Sequence, residues 1–152
     1  MSHIPLPEFA DRINEILPVL FREFSKRQAN EFFKGKITMP QFLVLGFLYK
    51  QKEAKMSDLA MFMKVSTPAM TGTVDRMVRD GYVSRLYEAN DRRIINIGLT
   101  AKGIALVKKI YEQRREMIIN VFGKLTEKDR EDYLRVLTQV HNVMVTENNV
   151  NL

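Results

Sequence analysis

Residues 81–100 read GYVSRLYEANDRRIINIGLT, and they decide the fold because residues of alternating character flank a short polar centre. Period two on both sides of a polar centre is typical of a β-hairpin. Asn90 and Asp91 supply turn-forming side chains at its tip. A turn does not need two adjacent arginines beside an aspartate at its most exposed point, so the tip indicates a binding role. The alternative, a solvated charged turn, explains the turn formers but not the two arginines. One face of the second strand is expected to pack inward, with Ile95, Ile97 and Leu99.

The segment before the hairpin predicts two short helices joined by a tight turn. Ser57 is the expected N-cap of the first helix, over residues 58–63. Ser66 is expected to cap the second helix, over residues 67–80, with Pro68 in its first turn. Two such helices predict a helix-turn-helix, and with the hairpin they predict a winged helix.

The second of these helices has two distinct faces. Its buried stripe, at spacing four and three, is expected to contain Met70, Val74 and Met77. The opposite face carries small and hydroxylated residues in its first half and arginines in its second half: Thr67, Pro68, Thr71, Gly72, Asp75, Arg76 and Arg79. Small side chains let a helix approach base edges, while hydroxyls and arginines bind bases or phosphates. This face predicts a recognition helix; the alternative is an amphipathic helix whose polar face is only solvated.

Helices are also predicted on both sides of this core. Apolar residues at helical spacing predict a long first helix over residues 8–33, bent at Pro18. Thr38 is the expected N-cap of an apolar and therefore central helix. A polar loop over residues 51–55 should follow that helix.

Two long helices are expected after the hairpin. Thr100 should cap one over residues 101–122, and Thr126 should cap a last one that ends near Val145. Residues 147–152 read as a polar, frayed tail. The predicted fold is mainly α (α+β by strict count), a winged helix-turn-helix with helices added at both ends of the chain.

The composition excludes several classes of protein. The 152 residues carry a net charge of +6 and contain no cysteine, which removes disulfides, thiol catalysis and cysteine-ligated zinc. His3 and His141 lie at opposite ends of the chain, a poor basis for a metal site. No nucleophile–histidine pair, glycine-rich phosphate loop or paired carboxylate site is recognisable, so we expect neither an enzyme nor a cofactor. The first residues, MSHIPLPEF, lack the regions of a signal peptide, so we expect a cytoplasmic protein.

Several motifs together resemble the MarR family of transcriptional regulators. Three segments resemble its wing signature: Gly81-Tyr82-Val83, Asp91-Arg92-Arg93 and Leu99-Thr100-Ala101-Lys102-Gly103. Four others resemble the start of its second helix and its helix-turn-helix: Thr38-Met39-Pro40-Gln41-Phe42, Ser57-Asp58-Leu59-Ala60, Ser66-Thr67-Pro68 and Val74-Asp75-Arg76-Met77. The similarity covers roughly residues 10–145, in the right order and spacing.

The resemblance implies a homodimer that binds double-stranded DNA at a pseudo-palindromic site. Residues 1–37 and 101–152 would form the dimerisation helices, and residues 38–100 the DNA-binding domain. It implies that Arg93 enters the minor groove, that Asp91 orients it and that Arg92 faces phosphate. It also implies a repressor that releases DNA when a small phenolic or anionic effector binds.

Apolar residues at both chain ends can supply a dimer interface. Those of the two long C-terminal helices are Ile104, Leu106, Val107, Ile110, Ile118, Ile119, Val121, Phe122, Tyr133, Leu134, Leu137, Val140 and Val143. Two other functions are also consistent with the sequence. A winged helix that binds proteins would not need Arg93, and an architectural DNA binder would show no base preference and a steep salt dependence.

Overall fold

The structure, a computed structural model, describes residues 4–27, 36–91 and 93–150. Helices predominate, as predicted, and the elements are α1 Leu6–Arg27, α2 Met39–Gln51, β1 Glu53–Lys55, α3 Met56–Met63, α4 Thr67–Arg79, β2 Val83–Tyr87, β3 Ile95–Leu99, α5 Ala101–Phe122 and α6 Glu127–Val150. The chain divides into two compact units, one up to Arg114 and one from Arg115 onward.

A small antiparallel sheet forms the wing, with strand order β1-β3-β2. The hairpin strands pair from Val83 opposite Leu99 to Tyr87 opposite Ile95, so the predicted hairpin is confirmed. The prediction of a polar loop over residues 51–55 was wrong, because β1 pairs with the other edge of β3. A strand of three residues is too short to show alternation, and its pairing depends on a partner far along the chain.

The N-cap predicted at Ser57 was also wrong. Helix α3 begins at Met56, and its N-cap is Lys55, the last residue of β1. The carboxylate of Asp58 accepts a hydrogen bond from the backbone N–H of Lys55 at 3.2 Å. Asp58 therefore satisfies a backbone donor of the cap, so the strand can run directly into the helix without a capping hydroxyl.

Helix α2 lies at the centre of the core, as its apolar sequence predicted. Thr38 and Gln41 form a capping box at its start, with the Thr38 backbone N–H donating to the Gln41 side chain at 2.8 Å. Around this helix the core takes side chains from all neighbouring elements of the first unit, and its fully buried members are Val44, Leu45, Leu48, Leu59, Met70, Val74, Met77, Val83, Ile97, Val107 and Ile110.

The inward face of β3 is shorter than predicted. Ile97 is fully buried and Leu99 is half-buried, but Ile95 remains 37% exposed. Ile95 pairs with the exposed Tyr87, next to the hairpin tip. The core-facing positions of the hairpin therefore lie at its base, and its distal end is solvated.

Helix α5 begins in the core of the first unit. Leu106, Val107 and Ile110 are buried there, so the expectation that they supply a dimer interface was wrong for these three. Farther along α5, Ile118 and Ile119 are about half exposed. Apolar spacing alone cannot say which part of a long helix packs inside its own chain.

The terminal helices bury few side chains. No residue of α1 is buried, although the helix is apolar on one face and continuous through Pro18. Residues 28–33 of the predicted first helix lie outside the described residues. Helix α6 continues to Val150, so the predicted end near Val145 was wrong. The last two residues of the predicted tail, 151–152, lie outside the described residues. No helix of the described ranges is long and apolar enough to cross a membrane.

Candidate nucleic-acid interface

The start of α4 has the expected cap. The Ser66 hydroxyl oxygen accepts a hydrogen bond from the backbone N–H of Ala69 at 3.3 Å, and Pro68 occupies the first turn. A hydroxyl that accepts at its oxygen still has its proton to donate. Ser66, Thr67 and Pro68 are all exposed. The N-terminal end of α4 therefore presents hydrogen-bond donors to solvent, as phosphate binding requires.

The turn between α3 and α4 is tight. Lys64 adopts the left-handed conformation, with φ of 53°, and its backbone N–H bonds to carbonyls of Ala60 and Met61. The N–H of Val65 also donates to the Ala60 carbonyl, at 3.0 Å. Lys64 is the C-cap of α3, and α4 begins three residues later, at Thr67. The two helices therefore form the helix-turn-helix that the sequence predicted.

The two faces of α4 are confirmed. Met70, Val74 and Met77 are at most 2% exposed. The polar face is exposed at Thr67, Pro68, Gly72, Asp75, Arg76 and Arg79, whereas Thr71 is half-buried.

The hydroxyl of Thr71 donates to the Thr67 carbonyl at 2.9 Å, within the helix. Its oxygen keeps lone pairs that can accept from a base amino group. A guanidinium nitrogen of Arg76 donates to the Thr73 hydroxyl at 3.4 Å, a long contact that a stronger acceptor such as a phosphate can replace. Thr71 can thus accept a hydrogen bond while it keeps its internal one, and Arg76 can exchange a weak internal partner for a phosphate.

Gly72 lies in open space. A Cβ atom added there would meet no atom within 4 Å, so no close contact within this chain requires glycine. A glycine inside a helix costs about 1 kcal/mol relative to alanine. If a close approach justifies this cost, it is an approach by a binding partner.

Replacing Gly72 by alanine tests that interpretation. We expect Gly72→Ala to raise the free energy of unfolding by about 1 kcal/mol, because alanine is the better helix former. DNA affinity should fall at the same time, because the added methyl group would separate α4 from the base edges. Denaturant unfolding and a DNA-binding titration measure the two effects. If stability rises with no loss of affinity, α4 does not approach DNA at Gly72.

The hairpin tip presents Arg93 on a closed turn. The Asp91 carboxylate accepts a hydrogen bond from the backbone N–H of Arg93 at 2.9 Å, and it lies 3.6 Å from the Nε of that side chain. The Ile94 N–H donates to the Asp91 carbonyl at 3.1 Å, which closes the turn. The Arg93 side chain is 95% exposed. Arg92, the other predicted contact, lies outside the described residues.

Asp75 has a partner that sequence reasoning missed. Its carboxylate binds the guanidinium of Arg85, on β2. Arg85 shares a hairpin face with the buried Val83, since residues two apart in a strand point to the same side. That alternation was a signal that Arg85 is directed toward the protein, but it could not identify the partner.

A cluster of main-chain contacts joins the hairpin to α5. Gly81 has φ of +79°, as the residue after a helix often does. The Thr100 hydroxyl donates to the Gly81 carbonyl at 2.6 Å and accepts from the Gly103 N–H at 3.0 Å. The Thr100 N–H donates to the Tyr82 carbonyl at 3.1 Å. These contacts fix the end of α4 and the base of the wing against the first turn of α5.

Three arginines of this surface, Arg76, Arg79 and Arg93, are exposed. Of its carboxylates, Asp75 and Asp91 lie beside arginines, and Asp80 and Glu88 are exposed at the end of α4 and near the hairpin tip. Exposed arginines are side chains that can bind phosphates. Over the described ranges, no group of three or more His, Cys, Asp or Glu side chains could hold a metal ion.

Comparison with known proteins gives consistent findings. Residues 37–95 match the model of the MarR family. The regulator YsmB of Bacillus subtilis, described as a HTH-type transcriptional regulator, is 23% identical over 146 residues, which cover 95% of this chain and 98% of that protein. The homoprotocatechuate degradative operon repressor of Escherichia coli is 29% identical over 106 residues, 70% of this chain and 72% of that one. The crystal structure of the MepR–DNA complex from S. aureus is similar with a TM-score of 0.70 and 25% identity, over 86% of this chain and 98% of that one.

Proposed function

Since the chain belongs to the MarR family, we propose that it is a sequence-specific DNA-binding transcriptional regulator that acts as a homodimer. One observation carries the proposal. Helix α4 keeps its hydroxyl and arginine face outside the protein core, and the neighbouring hairpin ends in an arginine that is 95% exposed. A helix for the major groove beside a basic wing for the minor groove is how a winged helix reads DNA.

Each DNA contact has a distinct chemical role in this proposal. The start of α4 binds phosphate and base edges through Ser66, Thr67 and Thr71. Pro68 and Gly72 have small side chains, so they allow the helix to approach DNA closely. Arg76 and Arg79 reach phosphates or guanine. The residues of the tip are Asp91, Arg92 and Arg93. Arg93 enters the minor groove, Asp91 holds the turn and its guanidinium, and Arg92 faces phosphate.

Exposed apolar side chains at both chain ends support the homodimer. On α1 they include Leu6, Phe9, Ile16, Leu17, Leu20 and Phe21, and on α6 Tyr133, Leu134, Val136, Leu137, Val140, Val143 and Met144. Because monomers rarely expose large apolar patches, an apolar helix face of this length indicates an interface. We therefore assign dimerisation to residues 1–37 and 101–152, and DNA binding to residues 38–100. The start of α5 also contributes side chains to the core.

Leu137→Asp should weaken the dimer, because it places a charge on the apolar face of α6. Light scattering should give a dimer for the unmodified protein at micromolar concentration. For the variant, the mass from light scattering should fall toward that of the monomer, or the melting temperature should depend strongly on protein concentration. Gln139→Asp introduces the same charge off that face and should behave as the unmodified protein. An unchanged dimer in Leu137→Asp would contradict the assignment.

We further propose that the protein is a repressor relieved by a ligand. One relative is by name an operon repressor, and relief follows from geometry in a dimer with two recognition helices. The helices must meet half-sites about 34 Å apart, one turn of DNA. A small phenolic or anionic effector that binds another spacing more tightly would shift the population away from DNA. Because this function requires access to DNA, we propose a cytoplasmic location. It requires no enzymatic activity and no cofactor.

Selection of genomic fragments by the purified protein tests the function. At physiological salt, we expect a few enriched fragments that share an inverted repeat with half-sites about one turn apart. Equal enrichment of all fragments would favour an architectural DNA binder and contradict a specific regulator. Absence of binding by the effector-free protein would favour a winged helix that contacts proteins.

A further inference from the structure

The ion pair between Asp75 and Arg85 joins the recognition helix to the wing. The two residues are ten positions apart and belong to α4 and β2, so the pair links two elements. We propose that it is a positioning pair: it fixes the direction of the wing relative to α4, so that the tip reaches the minor groove while α4 reads the major groove. The inference rests on the proposed DNA-binding function.

The location of Arg85 along the hairpin supports this role. Val83 and Ile97 anchor the base of the hairpin in the core, at 2% and 0% exposure. Arg85 lies directly opposite Ile97, and the next residue on its face, Tyr87, is already 60% exposed. Arg85 thus contacts α4 at the point where the hairpin leaves the core. A contact between Arg85 and α4 at that point determines where the hairpin tip lies.

The charge of Asp75 supports it as well. Its side chain is 53% exposed on the polar face of α4, where an unpaired carboxylate would repel DNA phosphates. A surface selected only for DNA affinity would not carry it. Exposed ion pairs contribute little to the free energy of unfolding, so we expect the pair to act on the direction of the wing and not on stability.

The variant Asp75→Asn should have two opposite effects on DNA binding. Removal of a negative charge should tighten binding to any duplex, whereas release of Arg85 should weaken the binding that depends on a correctly placed wing. The ratio of specific to nonspecific affinity should therefore fall about two- to tenfold, the range expected for one coupled pair. The first probe is a duplex of about 30 base pairs, roughly three turns of DNA, that carries the selected inverted repeat. The second is a scrambled duplex of equal length and composition.

Asp80→Asn is the matched control. It removes the same charge at the C-terminal end of α4, from a carboxylate that forms no ion pair within the described ranges. It should leave the affinity ratio unchanged. Arg85→Gln should lower the ratio, and the double variant Asp75→Asn with Arg85→Gln should be no worse than the more affected single variant. Full additivity in this cycle would overturn the proposal, because it would mean that the two side chains act independently.

A second measurement needs no DNA. The chain has no cysteine, so Ala89→Cys gives one site for a fluorescent dye, close to the hairpin tip. Time-resolved anisotropy should show a larger amplitude of nanosecond motion in Asp75→Asn and Arg85→Gln than in Asp80→Asn. Equal amplitudes in all variants would overturn the positioning role, as would an unchanged affinity ratio in Asp75→Asn. A lower melting temperature with an unchanged ratio would identify a merely structural pair. If the unmodified protein binds both duplexes equally, the proposed function itself fails.

Discussion

Arg93→Ala should weaken binding to the selected DNA by about 1–3 kcal/mol, or roughly 5- to 150-fold. The side chain is 95% exposed and lies at the tip of the wing, so its removal should take away the minor-groove contact without disturbing the core. The narrow minor groove of A·T-rich DNA is strongly negative and attracts inserted arginine. The loss should therefore be greatest for operators that are A·T-rich where the wing lies.

Two controls separate groove reading from simple charge. Arg22→Ala removes the same charge from α1, at a side chain that is 65% exposed, and should have little effect on specific affinity. Arg93→Lys keeps the charge but loses the planar donor group, so it should retain the salt dependence while losing part of the preference for A·T pairs. A titration by fluorescence anisotropy at several salt concentrations measures both quantities. Arg93→Ala with unchanged affinity and specificity would contradict the assignment of the wing.

Gly103→Ala should be the most damaging single substitution for stability. A Cβ atom at this position would lie 2.0 Å from the carbonyl oxygen of Tyr82, a main-chain atom that no rotamer change can move. The first turn of α5 would have to shift away from the base of the wing. Such overpacking typically costs 1–3 kcal/mol, and a backbone obstacle should place this variant at or above about 3 kcal/mol. The melting temperature should then fall by roughly 6–12 °C for a chain of this size.

Gly72→Ala is the matched control for this experiment, because it makes the same change in open space. Calorimetry of the two variants should give shifts of opposite sign. DNA affinity adds a second readout, since Gly103 contacts the hydroxyl of Thr100, which in turn holds the end of α4. Near-native stability of Gly103→Ala would show that α5 and the wing can separate at little cost.

Much of the recognition helix could be predicted from sequence. Its cap at Ser66, its end before Gly81 and its buried stripe depend on residues within a few positions of one another. The same holds for the turn formers of the hairpin. Such local signals are readable because helical and strand periods place neighbours on defined faces.

The contacts between elements could not be predicted in this way. The motif from Leu99 to Gly103 was visible as a resemblance, but its physical reason, the close contact of Gly103 with Tyr82, required the folded chain. The partner of Asp75 was equally hidden, because a carboxylate on a polar helix face gives no sign of which strand will lie beside it.

The sequence by itself determined which segments are helical, which pair as a hairpin and which side chains of α4 remain available to a partner. Those properties follow from local periodicity, capping residues and turn formers. Only the tertiary structure decided that β1 pairs with β3, that the first half of α5 belongs to the core, and that Arg85 binds Asp75. Each of these depends on surfaces that meet only after the chain has folded, and no pattern within a short stretch of sequence records which surfaces those will be.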